Sequence, residues 1–291
     1  MQKIIVRMRG GLGNQLFILA CTYYISKNSR KKNRIIIDNR EYNTYKVRNF
    51  ELLDLVKDTS LQLYQKEDFS IKYEITRRIY HVVQKLVNPK AKVNKLLASI
   101  GLVYSKRNSE GAIKVANKNN IYVYGYFQDY KMAKAVKRII KEKMKNKNEI
   151  KLEENFKYIA VSIRCGKDYV EGGWPICSKE YYVNGVEEII KEKYKNEDVK
   201  ILVFADDTKE AKKIKFGYKT DYIDNLSSGE QLLMMEKCDD FVIANSSFSW
   251  WGAFLGVKAD SIVIAPNVWY SNKTLTKESL LAFENMRYRS I

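Results

Sequence analysis

Three short polar clusters carry most of the chemistry open to this chain. Arg164-Cys-Gly-Lys-Asp168 sets a guanidinium and a carboxylate on either side of a glycine. A guanidinium grips two phosphate oxygens in a fork, which an ammonium cannot do. Asp168 can act as a general base if burial lifts its pKa toward the working pH, or it can pair with Arg164 and tie the loop. Asp206-Asp207 suits a metal ion, the cap of a following helix, or the N–H donors of a base edge such as guanine's. Asn245-Ser-Ser-Phe-Ser249 supplies turn and cap residues ahead of an apolar run. A helix starting there aims free N–H groups and its positive dipole end at one spot, which holds phosphate well. The plainer alternative is a capped core helix in which Trp250 and Trp251 fill space. A fourth cluster, Arg9-Gly-Gly-Leu-Gly-Asn-Gln15, puts Gly11, Gly13 and Asn14 where the backbone can approach a ligand or simply turn. Its spacing departs from the G-x-G-x-x-G of dinucleotide-binding folds.

Each cluster needs a strand to present it. Lys3–Met8, Arg34–Asp38, Ile121–Gln128, Tyr158–Ile163, Lys200–Ala205, Phe241–Ala244 and Ser261–Ala265 read as strands. Helical periodicity covers Leu16–Ser26, Met132–Met144, Lys179–Lys193, Thr208–Ile214, Gly229–Cys238 and Phe248–Leu255, the last closed by Gly256 just past its end. Strands alternating with helices predict parallel sheets, whose ligands bind beyond the carboxyl ends of the strands. All four clusters fall at such ends. Asp38, at the end of the second strand, reads as structural. The polar run Lys145–Lys157 reads as a linker between Rossmann-like halves at 1–150 and 151–275. A basic helical insertion is expected over about 60–115, and a terminal helix over 276–291 packing back on the first half.

The 291 residues suffice for two domains, and 45% hydrophobic content supports a full core. Lys+Arg number 52 against 34 Asp+Glu, a net charge of +18 that favours nucleotide phosphates, nucleic acid or an anionic membrane surface. The lysines are spread over many helices, which argues for solvated faces and against a nucleic-acid stripe. Cys21, Cys165, Cys177 and Cys238 lack any paired spacing, which argues against a disulfide framework or a zinc site. His81 is the sole histidine, so catalysis is not expected to rest on imidazole. Neither a membrane-spanning run nor a signal peptide is evident, and a cytoplasmic protein is expected.

The segments GGLGNQLF, GYFQ, SIRCGKDY, CSKEYY, ADD, NSSFSWWGAFLG and IAPNVWY occur in that order along the chain. Together they resemble the bacterial α-1,2-fucosyltransferases of glycosyltransferase family 11, over roughly residues 3 to 270. The resemblance implies a GT-B architecture, two Rossmann-like domains facing each other across a nucleotide-sugar cleft. It implies an inverting transfer of L-fucose from GDP-fucose to a galactoside 2-hydroxyl, with neither metal nor other cofactor. By position, Arg164 matches the first arginine of the HxRRGD motif and is expected to neutralise the β-phosphate. Asp207, with Asp206 beside it, would contact guanine. Ser246, Ser247, Phe248 and Ser249 would wrap the diphosphate, and Gly11, Gly13 and Asn14 would approach it from the N-terminal, acceptor-side domain. The motif's histidine is Ser162 here, its second arginine is Cys165, and Lys167 is inserted before Asp168. The expected acceptor is a galactose-terminated glycan, free or lipid-linked, with peripheral contact to the inner face of the plasma membrane. Rival readings are a GDP-sugar transferase with a different sugar or linkage, a nucleotide-binding relative without catalysis, a nucleic-acid-binding protein, and an NAD-dependent oxidoreductase.

Overall fold

The structure, a computed structural model, describes residues 1–44, 47–65, 101–105, 118–144, 150–273 and 281–291, with isolated residues 75, 78, 79, 97, 98 and 276; of Tyr104, Ser105 and Asp168 only the backbone is described. The chain divides into two compact units, Met1–Lys143 and Met144–Ile291. The first contains β1 (Gln2–Arg7), α1 (Leu12–Asn28), β2 (Asn33–Asp38), α2 (Leu52–Leu55), β3 (Leu61–Leu63), β4 (Leu102–Ser105), β5 (Asn120–Gly125) and α3 (Tyr130–Lys143). Its sheet is wholly parallel in the order β3-β2-β1-β5-β4. The runs Ile4–Val6 and Ile35–Ile37 are buried end to end, as strands covered on both faces must be. Helix α1 is buried along most of its length, which is why its sequence lacks a polar face.

The second unit contains β6 (Lys157–Ile163), α4 (Lys167–Glu171), α5 (Lys179–Lys193), β7 (Val199–Ala205), α6 (Thr208–Ala211), β8 (Lys219–Ile223), α7 (Ser228–Glu236), β9 (Asp240–Ile243), α8 (Ser247–Gly256), β10 (Val263–Pro266) and β11 (Met286–Arg289). These strands are also all parallel, ordered β11-β10-β9-β6-β7-β8. Each sheet therefore has one place where successive strands turn off in opposite directions. That switch point lies between β1 and β5 in the first unit and between β6 and β9 in the second. Loops diverge there and leave a crevice beyond the strand ends.

Two expectations need correction. The end of the chain is not a helix packed on the first unit: Met286–Arg289 is a strand paired with β10 in the second sheet. Arg287 and Arg289, two apart, share one strand face, and Glu188 and Glu192, four apart, share one face of α5. They meet as Arg287 Nη2–Glu192 Oε1 at 2.8 Å and Arg289 Nε–Glu188 Oε2 at 2.7 Å. Four alternating residues are too few to outweigh a helical reading of the surrounding sequence. Gly256, read as the residue after α8, is instead its last residue, and Val257 at φ −53° caps it. The glycine serves packing: a Cβ there would lie 2.7 Å from Phe241 Cζ and 2.9 Å from the Glu236 carbonyl oxygen of α7. The two ends of the expected 60–115 insertion are β3 and β4, and most of its interior falls outside the described residues, as does the linker stretch 145–149.

Candidate functional site

The second switch point gathers three of the four polar clusters. β6 pairs with β7 through Ile163↔Ala205 and with β9 through Ser162↔Ile243, so the three strands end level. Arg164, Asp206 and Asn245 therefore emerge side by side at the carboxyl edge.

Arg164 is braced from two sides. Its Nη1 lies 3.1 Å from Asp206 Oδ2, and its guanidinium sits 4.7 Å above the ring of Tyr169 from α4. Asp206 Oδ1 accepts the Cys165 backbone N–H at 2.8 Å, so one carboxylate fixes both the side chain and its loop. Arg164 thus pairs with Asp206, while the pairing with Asp168 that sequence offered lies outside the described residues. Tyr169 is buried and donates its hydroxyl to the Asn245 carbonyl at 3.1 Å, joining the β6 and β9 loops. Burial holds the Tyr169 phenol well above its usual pKa, so it stays a neutral donor. Burial, with the Asp206 charge beside it, pushes the Cys165 thiol up to about 11. That thiol stays protonated at neutral pH and points at the Asp207 carbonyl, 3.4 Å away, so it is no nucleophile.

Helix α8 begins at Ser247 after the N-cap residue Ser246, with no side-chain cap bond and no acidic residue in its first turn. Among the described residues, then, no side chain caps its first N–H groups or offsets its dipole. Ser246, Ser247 and Phe248 are half-buried, whereas Ser249 is fully buried with its hydroxyl 2.6 Å from that of Ser162. That bond pins the helix start to β6. Asn245 is 7% exposed and donates Nδ2 to the Trp269 carbonyl at 3.3 Å. Its Oδ1 and the indole N–H of Trp269 are buried with no partner among the described residues. Trp250 and Trp251 are core residues with no exposure.

Asp207 caps α6, accepting the Glu210 N–H at 3.1 Å, the ordinary role of an aspartate before a helix. Asp168 lies in α4, and its side chain is outside the described residues. Among the described residues, no group of three or more His, Cys, Asp or Glu side chains converges as metal ligands would. No helix among them is long and apolar enough to cross a membrane.

In the first unit, Gly11 is the N-cap residue of α1, and Gly13 and Asn14 lie in its first turn. Asn14 Oδ1 accepts from Gln128 Nε2 at 2.9 Å, bridging the loops after β1 and β5. Gly10 adopts φ +71°, and a Cβ there would come within 2.7 Å of Asn14 Nδ2. Sequence reading missed Gln15, which donates to the Gly10 and Asn49 carbonyls and accepts the Glu51 and Leu52 N–H groups. It also missed Tyr169 and Ser162 as supports of the second site. Tyr169 carried a signal in its spacing: it lies five residues after an arginine at a strand end, within reach of it across one turn of chain.

A match to Glycosyl transferase family 11 extends over residues 3–286, taking in both units and every cluster described above. The chain belongs to that family. Among similar proteins of this glycosyltransferase is the Escherichia coli O-antigen biosynthesis glycosyltransferase WbnK, 27% identical over 321 aligned positions, with 96% of this chain and 99% of that protein covered. An Escherichia coli α-1,2-colitosyltransferase is 26% identical over 298 positions, covering 94% and 95%. The fucosyltransferase NodZ from Bradyrhizobium superposes with a TM-score of 0.55 at 13% identity, covering 87% of this chain and 92% of that one. NodZ, an α-1,6-fucosyltransferase, has also been solved after soaking with GDP-fucose, and that structure gives 0.53. At such identity the likeness concerns the fold, and with the two parallel-sheet units it places this family 11 transferase in the GT-B class.

Proposed function

We propose that this glycosyltransferase moves L-fucose from GDP-fucose to the 2-hydroxyl of a terminal galactose, forming an α-1,2 linkage in a surface glycan or oligosaccharide. One observation carries the reading. On adjacent strands of one switch point, an arginine braced by Asp206 stands beside a helix start that has no side-chain cap. That pairing suits the diphosphate of a nucleotide sugar. A relative that makes α-1,2 linkages supports the linkage, and a fold neighbour soaked with GDP-fucose supports the donor.

In the proposed step the acceptor oxygen attacks C1 of fucose from the face opposite the phosphate. The C1–O bond to phosphate breaks, GDP leaves with the bonding electrons, and the configuration at C1 inverts. The acceptor proton passes to a base, for which Asp168 is the candidate. Negative charge grows on the β-phosphate as the bond breaks. Arg164 and the backbone N–H groups at Ser246, Ser247 and Phe248 meet it in place of a metal ion, which is electrostatic preorganisation. Ser249 acts through Ser162 by fixing the helix start. Asp206 orients Arg164, and the Asp207 carboxylate oxygen that does not cap α6 takes the guanine contact. Gly11, Gly13 and Asn14 form a ligand-facing helix start in the first unit. The acceptor is free or lipid-linked, and the basic protein meets an anionic membrane surface peripherally.

A thermal-shift series with GDP, GDP-fucose, UDP and CDP tests the donor. GDP and GDP-fucose raise the melting temperature and the other two do not, because a ligand that binds only the native state stabilises it. Transfer to a galactoside, with the product linkage read by NMR, continues in EDTA. A strict requirement for Mn²⁺ or Mg²⁺ rules the mechanism out.

A further inference from the structure

Trp174 is 45% exposed, yet its ring is held by its neighbours. It stacks on Tyr169 at 6.1 Å between centroids with the planes 15° apart, and Tyr270 lies tilted against it at 6.4 Å. Ser271 Oγ donates to the Gly173 carbonyl, tying the Trp174 loop to the segment after β10. Tyr169 is the same ring that carries the Arg164 guanidinium at 4.7 Å. An indole that stands half in solvent and is joined through one ring to Arg164 offers an aromatic face beside the proposed diphosphate site.

The strand order says which part of the ligand. Along β10-β9-β6-β7 the carboxyl ends present Tyr270 with Trp174, then Asn245 and Ser246, then Arg164, then Asp206 and Asp207. Neighbouring strands are ~4.8 Å apart, so this row spans ~14 Å, the reach of an extended nucleotide sugar. With the diphosphate at the middle two positions and the base at Asp207, the β10 end is left for the sugar. We propose that Trp174 is a specificity-determining residue whose open face stacks on the hexopyranose of the donor. An aromatic ring meets the C–H face of a pyranose, and a deoxyhexose widens that apolar face where a hydroxyl is missing. This rests on the GDP-sugar reading above.

Calorimetric binding of GDP and of GDP-fucose to wild type, Trp174→Ala and Trp174→Phe tests it. Trp174→Ala binds GDP within about twofold of wild type but GDP-fucose about 10-fold more weakly, the worth of one aromatic contact. Trp174→Phe recovers most of that loss, and the acceptor KM is the same in all three. Equal GDP-fucose affinity in wild type and Trp174→Ala overturns the proposal. An equal loss for GDP does too, since it puts the base or the phosphates on the ring, and so does a change confined to the acceptor KM. If wild type fails to bind GDP, the donor reading itself has failed, and that result is seen before any variant is compared.

Discussion

The two units repeat one layout and use it differently. In both, a strand at the switch point runs into a helix that starts without a side-chain cap and without an acidic residue in its first turn. In the first unit side chains answer much of the backbone around the turn after β1, although Arg9 Nε and Gln2 Oε1 are buried without a hydrogen bond among the described residues. Gln15 alone satisfies four backbone groups, Tyr42 donates to the Gly10 carbonyl at 2.7 Å, and Glu41 holds Arg7 and Arg9 at 3.0 and 3.3 Å. In the second unit the Asn245 amide oxygen and the Trp269 indole N–H are buried with no partner among the described residues, and Trp174 stands half in solvent. Buried polar groups are rarely left unanswered unless something else answers them. The contrast separates a first loop braced by its own side chains from a second loop that is proposed to take the diphosphate.

The largest effect expected from this contrast is on catalysis at Arg164. Arg164→Ala lowers turnover by roughly 10²–10³-fold while urea unfolding stays close to wild type, and Arg164→Lys, lacking the fork, recovers little. Activity near normal in Arg164→Ala would remove the proposed role of the second site in catalysis. The reciprocal substitution is Gln15→Leu, which strands four backbone groups at once. It costs stability of about 2–4 kcal/mol, read by urea unfolding, and a cost near zero would remove the claim that the first loop is self-satisfied. A smaller effect follows at Asp206, whose Oδ2 lies 3.1 Å from Arg164 Nη1. Asp206→Ala lowers kcat by about 10-fold while nucleotide affinity falls less, and Asp206→Asn, which keeps an oxygen for Cys165 N–H, recovers part of it.

The smallest effect concerns pH. Burial pushes the Asp58 carboxyl up, but bonds from Lys143, Tyr23 and Ser60 outweigh it and hold the group at about 2. A carboxylate whose folded pKa is depressed adds stability that is fully present above its ordinary value of 3.8 and is lost as the pH falls toward 2. The stability gap between wild type and Asp58→Asn therefore closes between about pH 4 and 2 in urea titrations. A gap that persists at the acid end shows that packing, and not the ionised carboxylate, ties this corner of the first unit.

Much of this layout was legible in the residues, for reasons that also explain what was not. Periodicity depends only on the segment itself, so α5 was readable from Tyr182, Val186, Ile189 and Ile190, and the structure gives it as Lys179–Lys193. Strand ends were readable because a polar residue after an apolar run has few other places to go, which located Arg164, Asp206 and Asn245. Partners were not readable. Asp206 is 42 positions from Arg164, and what joins them is the β6–β7 register, which no local pattern records. Ser162 and Ser249, 87 residues apart, meet through the β6–β9 register, which is equally unrecorded in any local pattern. β11 was missed because an edge strand of four residues takes its identity from the sheet it joins.

Helix α8 rests so closely on α7 that Gly256 has no room for a methyl group, the nearest obstacles including the Glu236 carbonyl at 2.9 Å and the Met235 carbonyl at 3.0 Å. Backbone carbonyls do not swing aside as a side chain does. Gly256 closes the end of a helix of ten residues, ~15 Å from the start that faces the site. Such a helix is a rigid lever with its fulcrum on α7. One carbon added at the distant end tips the near end, and the enzyme would lose rate through a change that touches neither substrate nor any residue that does.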